Sequence, residues 1–451
     1  MSYSESSPPR NGSKQKKASR HKAARALSAS EISKNSHHFE IWCTYQHLER
    51  ASYEDIPESF KQDVDHVFDV SGRLPIAWTE KDSAEYKSLS TFAPPQFIAF
   101  IAEAYDEDPS LFSAKVDQHL AILYLPLATV FTAWQRLKTM LHSSQRWSEA
   151  DFADAYAQFR GPALTKSTRL MQCSISLPQP LQTHVDSEAA RILNTRKSIP
   201  DCVVMVPPES IRHLSNSTDS AFKQLKKDKA VKKTGSAVKN SSFAYQATVC
   251  YSIPDTPAFE FVSSIWEDKK PVHSMPEHAY RQNRMSTASA ARQLHSLHVD
   301  APVFGLTWTH EHVRAHVDWC QRPQPDEHPV VYSAPYMRSV ESKTPVNGDQ
   351  EYHRWDLNRA SDILHLHFLI ANIDHWTTGG FLNRVTDGVA VLEKSVIEDG
   401  EAFKPWRRSG DIVPRPRRSL TAMENAELSA GVLTQCSTPK SKRKYKSRAI
   451  R

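Results

Sequence analysis

The chain changes its hydrophobic rhythm once, near residue 161. From 38 to about 164, apolar residues return every three or four positions, the period of a helix with one buried face. Phe39, Trp42, Tyr45 and Leu48 form one such stripe. Residues 95–105 and 113–142 continue it, with Pro126 predicted to interrupt the second. Ser148-Glu149-Ala150-Asp151, after Trp147, reads as a capping box opening a helix over 149–160, which Gly161-Pro162 closes. Nothing in this region has the pattern of a chemical site, and its aromatic stripes suit a core.

Beyond Gly161 the apolar runs become short and β-favouring. Residues 169–177, 199–206 and 259–266 read as strands, 243–252 as a further candidate strand, and 186–194 as a short helix. The Lys-rich stretch 209–242 predicts a long exposed insert in a hairpin. A helix over 277–298 follows, then a hairpin of 302–309 with 313–320, and an edge strand over 329–335. Residues 355–390 begin as a strand end and become a helix over 361–377, broken at Gly379-Gly380. The pattern predicts an α+β fold in four parts: a basic arm over 1–35, a helical region over 36–164, a mixed-sheet domain over 165–402 and a basic tail over 403–451. The mixed-sheet domain carries the 209–242 insert and a helical extension over 355–392. Both ends lack apolar periodicity and read as disordered.

One stretch departs from ordinary strand chemistry. Residues 259–271 read FEFVSSIWEDKKP, an apolar run that ends in two acids and two bases rather than a turn. Alternation along a strand puts Glu267 and Lys269 on one face and Asp268 on the other. A carboxylate and an ammonium leaving a rigid element together make either a local ion pair or half of a hydrolytic site.

Charge and cysteine usage narrow the setting. The chain has 451 residues and a net charge of +6. Residues 1–35 carry +6 and residues 403–451 carry +10, so the body over 36–402 carries −10. Basicity concentrated in the ends suits nuclear-import signals, with the cytoplasm as the alternative; the cluster from Lys440 to Arg448 is stronger than Lys14–Arg25. The N-terminus lacks the apolar segment of a secretory signal, and the longest apolar run, 120–134, is too short for a bilayer, so a secreted or membrane protein is not expected. Six scattered cysteines without a C-x-x-C pair suit a reducing compartment and buried thiols.

Taken together, the helix with Glu188, the strand opened by Pro200-Asp201, the long hairpin, the strand ending Glu267-Asp268-Lys269 and the helix after it resemble the PD-(D/E)XK nuclease superfamily. The resemblance covers about 165–335. Segments 303–319 and 355–378 also resemble fungal proteins bearing such a domain. It implies a restriction-endonuclease-like αβββαβ core with a mixed central sheet, and a Mg2+- or Mn2+-dependent endonuclease acting on nucleic acid, DNA ahead of RNA. It implies Asp201 and Glu267 as metal ligands, with Asp268 beside them. Lys269 would be the group that orients water and neutralises phosphate, Glu188 an outer acid, and Gln293 or Gln282 a contact from the following helix. The chemistry agrees: phosphodiester hydrolysis needs a hard cation on oxygen ligands and positive charge at the phosphate.

Competing motifs are weaker. Glu341-Ser342-Lys343 follows no apolar strand, and a shift to Asp268/Lys270 turns the pair to the opposite face. Asp255 lies twelve residues before Glu267 along one strand, tens of ångströms away at about 3.3 Å per residue. His310, His312, His316 and Asp318 have even spacing, but a hairpin turn at 310–312 breaks the alternation. His365 and His367 face different ways on a helix. An alternative reading is a non-catalytic scaffold of the same shape that binds nucleic acid or, through the helical region, a protein partner.

Overall fold

The protein is described by a computed structural model covering residues 25–116, 120–181, 185–228, 230, 242–269, 276–309, 311–322, 327–337 and 352–407. Its helices include α1 (Ala29–Ser33), α2 (Ser36–Gln46), α3 (Glu58–Phe68), α4 (Pro95–Glu107), α5 (Leu120–His142), α6 (Glu149–Arg160), α7 (Ser187–Leu193), α8 (Pro276–Ser296), α9 (Ala360–Thr378) and α10 (Gly380–Glu393). Strands β1 (Leu48–Arg50), β2 (Thr168–Met171), β3 (Cys202–Met205), β4 (Val262–Asp268), β5 (Val303–Trp308), β6 (His312–Gln321), β7 (Val330–Pro335) and β8 (Trp355–Asp356) build one mixed sheet.

The sheet runs β1-β7-β6-β5-β4-β3-β2, with β8 paired to β6. β2, β3 and β4 form an antiparallel set, β5 lies parallel to β4, and β6 returns antiparallel to β5. The parallel β4–β5 pair needs a crossover, which α8 supplies. Helix α8 packs on β4, β5 and β6, while α9 covers the opposite face with α3 and α4 against it. β4 is buried along its whole length because it is covered on both faces. The two layers are pinned to it directly: Asn283 of α8 donates to the Ile265 carbonyl at 2.9 Å, and Ser263 meets Thr377 of α9 at 2.6 Å.

Four predicted elements form differently. Pro126 does not break α5; the carbonyl its missing N–H leaves belongs to Ile122, a residue 67% exposed at the surface of the helix. The strand predicted over 169–177 is cut by Gln172, whose φ of 50° is left-handed, into Thr168–Met171 and Ile175–Ser176. Residues Phe243–Gln246 are a helical turn rather than a strand, because Gln246 caps the backbone of Trp406 and Arg407 while Phe243 packs against Phe222 and Phe259. β7 is not an edge strand, since β1 from the helical region pairs outside it in parallel.

Both expected tails contain folded residues. Ser28 and Glu31 form a capping box that starts α1 inside the expected arm. At the other end Trp406 is buried and Arg407 donates to the carbonyls of Tyr245, Cys250 and Tyr251. The expectations for 1–24 and 408–451 lie outside the described residues, as do Lys270, His310, Lys229, Lys232, Lys233, Lys239 and Glu341-Ser342-Lys343. Within the predicted insert, Lys223, Lys226 and Lys227 ride a short helix, Ala221–Lys227. Among the described residues no helix is long and apolar enough to cross a membrane.

Candidate active site

The end of β4 carries its charges to two faces. A β-bulge at Ser263, where the β3–β4 pairing passes from Val204↔Ser264 to Met205↔Val262, sets the alternation of the residues beyond it. Glu267 and Lys269 emerge toward α8, and Lys269 Nζ donates to Glu267 Oε1. Asp268 points the other way and receives Arg160 of α6 through two bonds, of 3.0 and 2.5 Å.

Asp201 comes to the same place because β3 is antiparallel to β4. Cys202 pairs with Trp266, which brings Asp201, just before β3, to the last residues of β4. The Asp201 carboxylate accepts the Asp268 backbone N–H at 2.7 Å, and the Asp201 N–H donates to the Trp266 carbonyl at 3.1 Å. Asp201 therefore ends the β3–β4 ladder as well as presenting a carboxylate.

Electrostatics follow from burial. Glu267 is 1% exposed, and its Oε2 has no hydrogen-bond partner among the described residues. Burial pushes its carboxyl well above the ordinary range; Lys269 works against that shift and Asp201 adds to it. Burial acts against the Lys269 charge, but Glu267 and then Asp201 more than offset it and the ammonium is held. Asp201 rises to about 6, through burial first and the nearby Asp268 second. Two acids and one base, each with a raised proton affinity, are a signature that functional clefts share with structural ion-pair networks.

Several predicted participants stand elsewhere. Gln282, in the second turn of α8, reaches Lys269 Nζ at 3.4 Å. Gln293 sits eleven residues further along α8, about 16 Å down its axis, and donates to the carbonyls of Ala247 and Glu260. Gln293 is thus a structural residue of the fold. Glu188 is exposed at the start of α7 and faces His38 at 3.8 Å, not the Glu267–Lys269 pair. The Asp268 carboxylate is committed to Arg160, so its side chain is not a metal ligand; its backbone is what borders the site.

Two contributors were not read from the sequence. Arg160 is 1% exposed and caged by Trp308 at 4.1 Å, Trp266 at 5.1 Å and Tyr156 at 5.3 Å. The signal for it was Asp268 itself, a buried acid that requires a cation on its own face. Glu149, the first residue of α6, lies close enough for its charge to act on Lys269.

The histidine cluster resolves into packing. His316 bonds Asp318 at 2.8 Å and Asn283 at 2.7 Å, while Thr287 donates to the other Asp318 oxygen. His365 bonds Asp108 at 2.8 Å, and burial holds His367 down at about 4. Among the described residues no group of three or more His, Cys, Asp or Glu is arranged to hold a metal. No protein-family model matches this chain, and a search of curated proteins finds no match.

Proposed function

We propose that the protein is a metal-dependent nuclease of the PD-(D/E)XK type, hydrolysing phosphodiester bonds in DNA or RNA. The observation that carries this is the approach of Asp201, just before β3, to Glu267 at the end of β4, with Lys269 on the face of Glu267 and a buried Glu267 oxygen lacking a partner among the described residues. Part of the chain order supports it: β2, β3, β4, α8 and β5 run three antiparallel strands, helix and parallel strand, while α7, the helix expected to open the core, falls between β2 and β3.

The donor set fits a hard cation such as Mg2+ or Mn2+. Glu267 Oε2 is a buried oxygen without a partner among the described residues, and Asp201 presents a second carboxylate beside the end of β4. Two carboxylates suffice for Mg2+, which keeps most of its waters. When bound, the ion supplies Lewis-acid polarisation and a water of lowered pKa. Lys269 places a held positive charge beside the carboxylates, where a scissile phosphate gathers charge, and Gln282 orients its Nζ. The Arg160–Asp268 pair fixes the strand end beneath them.

The test is cleavage of plasmid DNA and of single-stranded DNA and RNA by the full chain with Mg2+ or Mn2+. Glu267→Gln and Lys269→Met each lower the rate by about 100-fold or more, with near-ultraviolet circular dichroism unchanged. Equal cutting by wild type and both variants, or none by wild type, overturns the proposal. A second reading, a non-cutting scaffold, draws on the closed Glu267–Lys269 pair and the acidic body. Metal-independent nucleic-acid binding without cleavage supports it.

A further inference from the structure

A second reactive arrangement lies outside the candidate active site, where the segment after β2 meets the segment before β4. Cys173 Sγ and Cys250 Sγ are 3.4 Å apart. The backbones that carry them are held in register. Tyr251 N–H donates to the Ser174 carbonyl at 2.6 Å and Ser176 N–H to the Val249 carbonyl at 2.9 Å, around an antiparallel bridge between Ile175 and Cys250. Arg407 fixes the Cys250 carbonyl at 3.1 Å and Thr248 its N–H at 3.0 Å. The left-handed Gln172 turns Cys173 toward this contact, and the Gln172 N–H donates to the carbonyl of Asp201. A disulfide requires sulfurs about 2 Å apart, and the two Sγ atoms, at 3.4 Å, are already in contact.

The two thiols are chemically unequal. Cys173 is half-buried and reachable from solvent, whereas Cys250 is 6% exposed. The hydrogen-bonded contact with Cys250 lowers the Cys173 thiol below its usual range, with burial opposing, and the same contact raises Cys250. Burial pushes Cys43 up to about 11 and Cys202 and Cys320 up to about 12. Attack on a peroxide needs an accessible thiolate, and a neighbouring thiol then resolves the product.

We propose that Cys173 and Cys250 form a peroxide-oxidisable dithiol, with Cys173 the attacking sulfur and Cys250 the resolving one. The Cys173 thiolate attacks one oxygen of hydrogen peroxide and the O–O bond breaks. This leaves a sulfenic acid on Cys173 and releases hydroxide, which takes the proton of Cys250. The Cys250 sulfur then attacks the Cys173 sulfur, the S–O bond breaks, and the second hydroxide takes up the proton that Cys173 first lost. Two thiols and one peroxide yield one disulfide and two waters; sulfur is oxidised and peroxide oxygen reduced. A small thiol reverses the reaction by exchange.

The test treats the full-length chain with stoichiometric hydrogen peroxide, blocks remaining thiols with N-ethylmaleimide and maps unreduced peptides by mass spectrometry. The expected product is a cross-link of the Cys173 and Cys250 peptides, lighter by two hydrogens and released by dithiothreitol, while Cys43, Cys202 and Cys320 remain alkylated. Cys250→Ser accumulates a Cys173 sulfenic acid that dimedone traps, and Cys173→Ser leaves Cys250 reduced. The proposal is overturned if wild-type Cys173 alkylates as fully after peroxide as before. It also fails if Cys173 joins Cys436 instead of Cys250, or if all the thiols oxidise together.

Discussion

Replacing Arg160 with Met tests how the end of β4 is held. The guanidinium makes two bonds to an Asp268 carboxylate whose side chain is 4% exposed, in a cage of Trp308, Trp266 and Tyr156. Opposite charges about 4 Å apart attract by about 4 kcal/mol at an effective dielectric of 20. Removing one partner of a buried pair costs about 3–5 kcal/mol, because the other charge is stranded. Met fills much of the same volume, so little of that loss is packing. Asp268→Leu added to Arg160→Met should recover most of it, since burying two apolar groups in place of the pair is close to neutral. The assay is urea unfolding followed by tryptophan fluorescence, because Trp266 and Trp308 touch the guanidinium. A double-mutant cycle then isolates the coupling. A loss below about 1 kcal/mol for Arg160→Met, or a double variant no more stable than the single, would refute the claim that the pair is dry. The same variant should raise Asp201 above about 6, since Arg160 lowers it.

Asp201 also makes stability and cation affinity depend on pH in opposite senses. Its carboxyl stands at about 6 against an ordinary 3.8, so the native state binds the proton more tightly. That contribution, about 3 kcal/mol, is fully present below pH 4 and is lost as pH rises through 6. Unfolding without added metal between pH 4 and 7 shows it, and Asp201→Asn should flatten the slope. Mn2+ affinity measured by calorimetry should fall about tenfold per pH unit below 6, as the proton competes for the ligand; an affinity that stays level from pH 7 to 5 removes Asp201 from the ligand set. Gly305→Ala should cost about 2–4 kcal/mol in urea unfolding. Its new methyl would stand 2.1 Å from His316 Nε2 and 2.5 Å from Asn283 Oδ1, and His316 is already bonded on both ring nitrogens.

What the sequence determined by itself was local and periodic. The capping box at Ser148 set the start of α6, and the apolar run from Phe259 set β4 as a buried central strand, because propensity and side-chain alternation act within a few residues. The same alternation placed Glu267 with Lys269 and turned Asp268 away. Tertiary structure decided the partners. Arg160 is one of 57 Lys and Arg residues, and only the packing of α6 beside β4 selects it for Asp268. Gln282 touches Lys269 while Gln293 does not, because the first turns of α8, and not its far end, lie at the strand terminus. Three residues of β1 join the sheet beside β7 although so short a strand has no pattern of its own. Phe243–Gln246 forms a helical turn because Trp406 and Arg407, 160 residues later, take up its polar groups. Periodicity speaks for one element at a time, whereas ion pairs, caps and cysteine neighbours depend on which elements the sheet order brings together.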